Sequence, residues 1–340
     1  MNKNKSYQFI KYQLLILLCL TGLTSCDNGS SIAQHQQVKD IVNIGRLICG
    51  GHLPLAVVEK KYQSDLQSFR LNTIQNHDWN DVITDMKSGK LAGTFILSPL
   101  AMNLIHEGLD AKIVLMADRN GNGFVLSNNL KSISELKERQ SIIAVPHIYS
   151  QHHVLLHMIL QQYGIDKEQV KVLGMPPRDM INSLKNGEID GFVVGEPEGH
   201  RAISLNVGWM AAISPDIWTD HMDHVFVASN DFIENHPEQL QELITQLVRA
   251  GEFIENNPHE AAIMGEDYTG AQAEVFEKVL TTPENWISYS NMVANETDMT
   301  SMAQKLVEMQ LWPNVPDNLA LHYFDMRFAQ QAEQAIRPKY

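Results

Sequence analysis

Two segments of the chain, 98 residues apart, join a helix to a strand in the same way. Residues 87–99 read Lys-Ser-Gly-Lys-Leu-Ala-Gly-Thr-Phe-Ile-Leu-Ser-Pro, and residues 185–197 read Lys-Asn-Gly-Glu-Ile-Asp-Gly-Phe-Val-Val-Gly-Glu-Pro. In each, an amphipathic helix closes on a glycine suited to the left-handed position (Gly89, Gly187), an apolar strand follows, and a proline ends it. A chain that builds this junction twice is expected to fold as two α/β halves of similar build. From residue 41 onward, β-rich runs alternate with amphipathic stretches, the pattern of sheets covered by helices. Strands are expected at 42–48, 68–74, 91–97, 113–117, 142–145 and 170–173, and helices at 53–61 and 79–87. The C-terminal third reads as mainly helical, most clearly at 237–256, 271–280 and 298–310. Ligands of parallel α/β sheets bind outside the carboxyl ends of the strands, so Ser98-Pro99 and Gly195-Glu196-Pro197 are expected to face one cleft.

The 340-residue length exceeds one typical domain and suits a two-lobed protein. A net charge of -14, from 40 acids against 26 Lys and Arg, argues against a nucleic-acid partner, which requires clustered cations. The first residues carry the opposite sign. Lys3, Lys5 and Lys11 precede the apolar run 14–20, which is too short to span a bilayer and reads as a signal-peptide core. The run ends in Leu23-Thr24-Ser25-Cys26, which resembles the lipobox of bacterial lipoproteins. That resemblance implies a signal peptide over 1–25, lipidation of Cys26 and a polar tether over 26–37. Acyl chains contribute about 0.8 kcal/mol per buried CH2, so such an anchor is firm while the body stays soluble. Asp27 resembles the signal that retains lipoproteins on the inner membrane, which implies the periplasmic face of a bacterial inner membrane, with the outer membrane as the alternative. Cleavage removes three lysines and no acid, leaving -17, and Cys49 as the one thiol of the body, expected to be buried among apolar groups.

The segment Ile189-Asp190-Gly191-Phe192-Val193-Val194-Gly195-Glu196-Pro197 resembles the substrate-binding proteins of ABC importers for nitrate, bicarbonate, sulfonates and taurine. Supporting it in order are Pro54-Leu55-Ala56, Asp78-Trp79, Pro176-Pro177, Gly208-Trp209 and Asp216-Ile217-Trp218, which together cover roughly residues 41–265. The resemblance implies an α/β, two-lobed periplasmic-binding type II fold with an interlobe cleft. Lobe 1 would take residues 38–126 and 223–340, and lobe 2 residues 127–222. It implies a monomeric receptor that captures a small, expectedly anionic solute and hands it to a permease and an ATPase, with no cofactor and no catalysis. Only a ligand that touches both lobes favours their closure.

Carried over position by position, the resemblance puts Trp79 at the family's first-lobe Trp and Asn122 at its Gln. Tyr149, Ser150 and Gln151 take the small-residue and Thr positions, His152 matches a family His, and His224 stands where the family has Lys. Physical chemistry supports part of this independently. Ser150 is a good N-cap, and a helix starting there points free N–H groups at the cleft. His224 replaces a permanent charge by one that titrates, which leaves room for a larger, neutral or zwitterionic ligand. His52 and Glu196 are further cleft candidates. His153 and His157, four apart, could share a metal, yet no HExxH or CxxC pattern accompanies them and no metal site is assigned. A thiamine-pyrimidine-like or metal ligand, or a signalling lipoprotein of the same fold, are the alternatives. The enzyme class lacks a Gly-x-Ser-x-Gly elbow, a P-loop and a dinucleotide fingerprint.

Overall fold

The structure, a computed structural model, describes residues 39–336. The expected signal peptide 1–25, the lipidation site Cys26 and the tether 26–37 lie outside the described residues. No helix among the described residues is long and apolar enough to cross a membrane.

The strands are β1 (Asp40–Arg46), β2 (Phe69–Gln75), β3 (Gly93–Leu97), β4 (Ala111–Met116), β5 (Arg119–Asn120), β6 (Asn122–Ser127), β7 (Ser141–Val145), β8 (Val170–Gly174), β9 (Gly191–Gly195), β10 (Gly208–Ile213), β11 (His224–Ser229) and β12 (Ile287–Ser288). Helices α1 (Leu53–Val57), α2 (Trp79–Lys87) and α3 (Ser98–His106) cover the first part of the chain, and α4 (Gln151–Gln162), α5 (Pro177–Asn186) and α6 (Glu198–Ser204) the middle. The remainder is α7 (Asn230–Asn235), α8 (Pro237–Asn256), α9 (Pro258–Thr269), α10 (Ala273–Thr281), α11 (Glu296–Glu308), α12 (Leu319–Tyr323) and α13 (Arg327–Ile336).

One sheet has the order β2-β1-β3-β11-β4 and the other β8-β7-β9-β6-β10, so each carries the same arrangement of five strands. In each, the fourth strand of that order runs antiparallel to the third: β11 against β3, β6 against β9. The two lobes inferred from the repeated junction are therefore present. Gly89 and Gly187 have φ of 72° and 73°, the left-handed conformation that a Cβ disfavours. The second repeated glycine has a different reason. A Cβ on Gly93 would lie 2.7 Å from the Val227 carbonyl oxygen of β11, and one on Gly191 2.6 Å from the Val125 carbonyl oxygen of β6. The repeat thus records where a crossing strand presses on its neighbour.

Burial follows the period-2 geometry of strands. Within the second sheet, Phe124, Leu126, Ile143, Val145 and Val193 pack with Leu155, Leu156 and Ile159 of α4 on one face. Their neighbours Val125, Ala144, Phe192 and Val194 pack with Met180 and Leu184 of α5 on the other. With helices on both faces these strands read as continuous apolar runs, not as alternating ones. The first sheet shares a larger core with α8, α9, α10, α11 and α13. α8 runs from Pro237 to Asn256 and α2 from Trp79 to Lys87, the ranges their patterns predict.

The chain leaves the first sheet after β4 and returns to it at β11, and these two passages lie side by side: Ala117 N–H donates to the His224 carbonyl at 2.8 Å, and Asp223 N–H to that of Asp118 at 3.1 Å. Arg119, in the outgoing passage, is buried and makes a bidentate pair with Asp298 of α11, with nitrogen to oxygen distances of 2.9 and 2.8 Å. Its Nη1 also donates to the Asp220 carbonyl at 2.7 Å in the returning passage. One guanidinium therefore links both crossings to the C-terminal helices. Removing one member of a buried pair leaves the other charge uncompensated, so Arg119→Ala is expected to lower unfolding free energy by about 3–5 kcal/mol. Chemical denaturation of the variant and the parent checks this, and a loss within about 0.5 kcal/mol, ordinary for surface positions, would remove the pair from the list of structural ties.

Candidate functional site

The carboxyl ends of β1, β3, β7 and β9 converge, and polar groups from both lobes meet there at two spaces that share Cys49, Trp79 and Glu198 in their linings. A cleft of about 540 Å3 is lined by residues that include Cys49, Trp79, His147, Arg178, Glu198 and Arg201. Beside it is a chamber of about 20 Å3, sharing part of that lining and lined by Cys49, Trp79, His152, Gly195, Glu196 and His224 among others. The chamber has room for about one water molecule, whereas the cleft falls in the size range of small-molecule sites.

In the first lobe, β1 runs into Cys49-Gly50-Gly51-His52, the opening turn of the helical stretch. Gly51 packs on the ring of His224, 2.2 Å from where its Cβ would lie, so a side chain at position 51 is excluded. His52 is wholly buried, and its Nδ1 accepts from the Leu47 N–H at 3.0 Å. That bond sets the tautomer: Nε2 carries the proton and has no hydrogen-bond partner among the described residues. Burial, then repulsion from His224 and Arg46, hold the His52 pKa well below 6.5, so the ring is neutral. Trp79 opens α2, where Asp78 caps the helix by accepting from the N–H groups of Asn80 and Asp81. Its buried indole N–H also has no partner among the described residues. Its ring leans on that of His224, with centroids 6.1 Å apart.

His224 begins β11. Its Nδ1 lies 3.0 Å from Asp223 Oδ2 and 3.3 Å from Asp118 Oδ1, its backbone N–H donates to Asp118, and its Nε2 is 3.7 Å from Cys49 Sγ. Burial works against the charged ring, but Asp223, Cys49 and Asp118 raise its pKa well above 6.5, so it is an imidazolium. Asp118 moves up, because burial and then Asp223 oppose its charge. Asp223 is held down: burial opposes its ionisation, and the His224 cation outweighs that.

The second lobe supplies the opposite wall. Ser150 Oγ caps α4 by accepting from the His153 N–H at 3.1 Å. Gln151 donates from Nε2 to Asp223. His152 is 2% exposed, and burial pushes its pKa down to about 3. Neither of its ring nitrogens has a partner among the described residues. Asn122, the first residue of β6, donates from Nδ2 to the Asn120 carbonyl at 2.9 Å and to Asp223 Oδ1 at 3.2 Å. Its Oδ1 and His152 Nε2 both lie over Gly195, each 3.6 Å from the position of a Cβ there.

The residues singled out from the sequence divide accordingly. Trp79, His152, Glu196 and His224 line the chamber. His52 stands behind it against the His224 ring. Asn122 and Gln151 are engaged with Asp223, and Ser150 serves as the cap. Two side chains point elsewhere. The Tyr149 hydroxyl donates to the Leu311 carbonyl at 3.4 Å, and the Glu196 carboxylate turns to His200, accepting from its N–H at 3.0 Å. Among the described residues the candidate metal-ligand clusters are Cys49 with His52 and His224, and Asp118 with Asp223 and His224; the His153 and His157 pair forms none. Cys49 is half-buried, with its sulfur turned to His224 and not into an apolar core. Asp118, His221 and Asp223 were not singled out; the one local signal was the Asp223-His224 pair at the start of a strand.

A family model described as the NMT1-like family matches residues 35–266. The nitrate import ATP-binding protein NrtC of Synechocystis is 26% identical over 213 residues, which are 57% of this chain and 32% of that protein. The chain spans about a third to two fifths of the length of the first curated relatives it matches. Among solved structures, the periplasmic nitrate-binding protein NrtA from Synechocystis superposes with a TM-score of 0.81 at 18% identity, over 88% of this chain and 90% of that one. A ligand-binding component of an ABC-type import system from Staphylococcus aureus, with zinc bound, gives 0.80 at 20% identity, over 86% and 99%. At such identities the likeness establishes the periplasmic-binding fold.

Glu198, at the cleft wall, pairs with Arg201 at 2.6 Å while its Oε2 has no partner among the described residues. Burial outweighs Arg201 and raises its pKa from 4.5 to about 7. A carboxyl with a folded pKa above its unfolded one binds more protons when native, so stability falls as pH rises from 4.5 to about 7 and levels off above. Glu198→Gln is therefore expected to match the parent near pH 4 and to exceed it by about 3 kcal/mol near pH 8. Urea denaturation across that range measures the difference; one that does not change with pH contradicts a buried, protonated Glu198.

Proposed function

The chain belongs to the NMT1-like family, and from that premise we propose that it is the solute receptor of an ABC importer, working outside the cytoplasmic membrane. The observation that carries this reading is the convergence of buried polar groups from two like lobes on one small chamber, the unpartnered Trp79 N–H and the charged His224 ring from one side and the unpartnered His152 ring from the other. A solute that reaches both walls favours the closed arrangement over the open one, which is how a receptor reports occupancy to a permease. The relatives' names, nitrate import ATP-binding protein and, for a Synechococcus elongatus relative 24% identical over 288 residues, bicarbonate transport ATP-binding protein, supply an ATPase partner and the first candidates for the solute, nitrate and bicarbonate; a permease completes the proposed importer.

The charge arrangement supports an anionic solute. The Trp79 N–H and the His224 imidazolium are donors at the chamber wall, with the His52 Nε2–H behind them. The adjoining cleft extends the space to solutes of sulfonate size. Because β6 (Asn122–Ser127) pairs with β9 and β10, the expected boundary at 126 moves back to the start of that strand, and lobe 1 is taken as residues 38–121 with 223–340 and lobe 2 as 122–222. The protein is proposed to be monomeric and held at the inner membrane by acyl chains on Cys26, with no catalytic role.

A thermal-shift panel of nitrate, bicarbonate, taurine and alkanesulfonates tests the reading. A solute at 100 times its dissociation constant stabilises by about 2.7 kcal/mol. Trp79→Phe keeps the ring and deletes the N–H, and is expected to weaken the responding anion at least tenfold with little loss of stability. If no member of the panel shifts the midpoint, the oxyanion reading falls; if Trp79→Phe binds as well as the parent, the indole donor leaves the site.

A further inference from the structure

We propose that Glu198 touches the solute and decides which oxyanion is taken: a bare one together with a proton on the Glu198 carboxyl, and one that brings its own O–H donor without that proton. The inference rests on the receptor reading and assigns a specificity-determining residue to the same site.

Space comes first. The chamber, at about 20 Å3, has no room for an oxyanion of several atoms, so the solute occupies the cleft of about 540 Å3 and meets the groups that line both spaces. The polar ones are Cys49 and Trp79 from the first lobe and Glu198 from the second. Cys49 turns its sulfur to His224. Glu198 is therefore the polar contact that the second lobe supplies at this junction.

Its side chain is arranged for that contact. Glu198 is 6% exposed; Oε1 accepts from Arg201 Nη1 at 2.6 Å, while Oε2 has no partner among the described residues. A buried polar atom without a partner requires an explanation. A second one stands on the same boundary from the other lobe, the Trp79 indole N–H. The indole can donate and nothing else, whereas a carboxyl donates when protonated and accepts when ionised. One solute between them satisfies both.

The carboxyl makes the contact conditional. Protonated, it donates to any oxyanion; ionised, it repels an oxyanion that has nothing to donate and accepts from one that carries an O–H. One proton lies between solute and Glu198 in either case, and the two differ in which partner supplies it. Burial, which raises the Glu198 pKa to about 7, puts the change of state within reach of ordinary conditions.

The charged and titratable surroundings separate this effect from others. Arg201 and Glu196 act on Glu198 from its own segment. Of the elements packed on α6, the strands β6, β9 and β10 carry no titratable side chain, and α5 brings Arg178 to the cleft wall. α10 carries Glu274, Glu277 and Lys278, with Glu277 paired to His259. Across the cleft are His77, Asp78 and Cys49, with His147 on the same lobe as Glu198. His152 and His224 line the chamber. His152 titrates at about 3, far below neutrality. His224, held well above 6.5, would on losing its proton weaken all anions alike. Glu198 instead divides anions by whether they carry a donor.

Isothermal titration calorimetry of the full chain at pH 7, 8 and 9, in buffers of differing ionisation enthalpy, counts the protons taken up with each solute. Nitrate and ethanesulfonate are the donor-free probes; bicarbonate and isethionate, which carry an O–H, are the other pair. At pH 8 a donor-free anion is expected to take up nearly one proton, and its affinity to fall about tenfold between pH 8 and 9. The O–H-bearing anions are expected to take up none and to keep their affinity within about threefold. Glu198→Gln, whose amide donates at every pH, is expected to bind the donor-free anions without proton uptake or the tenfold fall. The proton count is read on the unsubstituted protein, so it decides the matter even if the variant misfolds. A donor-free anion bound without proton uptake, uptake that survives in Glu198→Gln, or binding at pH 7 confined to the O–H-bearing pair overturns the inference and leaves the receptor standing. Binding of none of the four sinks the anion-receptor reading and this inference together.

Discussion

The Asp223 carboxylate is the point on which the two lobes depend. It accepts from Asn122 on β6, from Gln151 on α4 and from His224 on its own side. Two of those donors belong to the second sheet and its covering helix, while His224 starts the strand that returns the chain to the first. A buried carboxylate is tolerated only when its charge is compensated and its lone pairs are used. Here the compensation comes from a histidine whose charge this carboxylate, with Cys49 and Asp118, sustains. The interlobe contact and the protonation state of the site are therefore one problem with one solution. A change at Asp223 alters both together.

The repeated arrangement of strands explains why that contact lies where it does. Each sheet inserts one antiparallel strand, β11 or β6, beside its third. The passages linking the sheets enter these strands at their first residues, His224 and Asn122. Both residues thus sit at the cleft floor because each is where a crossing ends and a strand begins. Gly93 and Gly191 permit the crossing strands to press close, and Arg119 ties the crossings to α11.

The chemistry of the chamber is set by what stands behind its walls. The body is strongly acidic, so no general positive field draws in an anion. Attraction is local: two carboxylates sustain one imidazolium, and the tautomer of His52 is set by a backbone N–H.

Much of the fold was legible along the chain. The junction repeated at 98 residues implied two like lobes, and the amphipathic pattern located α2 and α8 to the residue, because helix and strand periods are local properties. The crossing strands β6 and β11 and the edge strand β10 were not picked out. Their segments Asn-Gly-Phe-Val-Leu-Ser and His-Val-Phe-Val-Ala-Ser are short apolar runs whose role depends on distant partners. The site divided in the same way. Trp79, His152 and His224 were candidates only through the family resemblance, position by position, whereas Cys49, Asp118 and Asp223 acquire meaning only from one another. Cys49 and His224 are 175 positions apart, and Asp118 and His224 are 106. The sequence alone determined two α/β lobes and a cleft between their strand ends. Tertiary structure alone decided which side chains are charged, which are held and which face the chamber, because charge state and orientation depend on burial and on neighbours far along the chain.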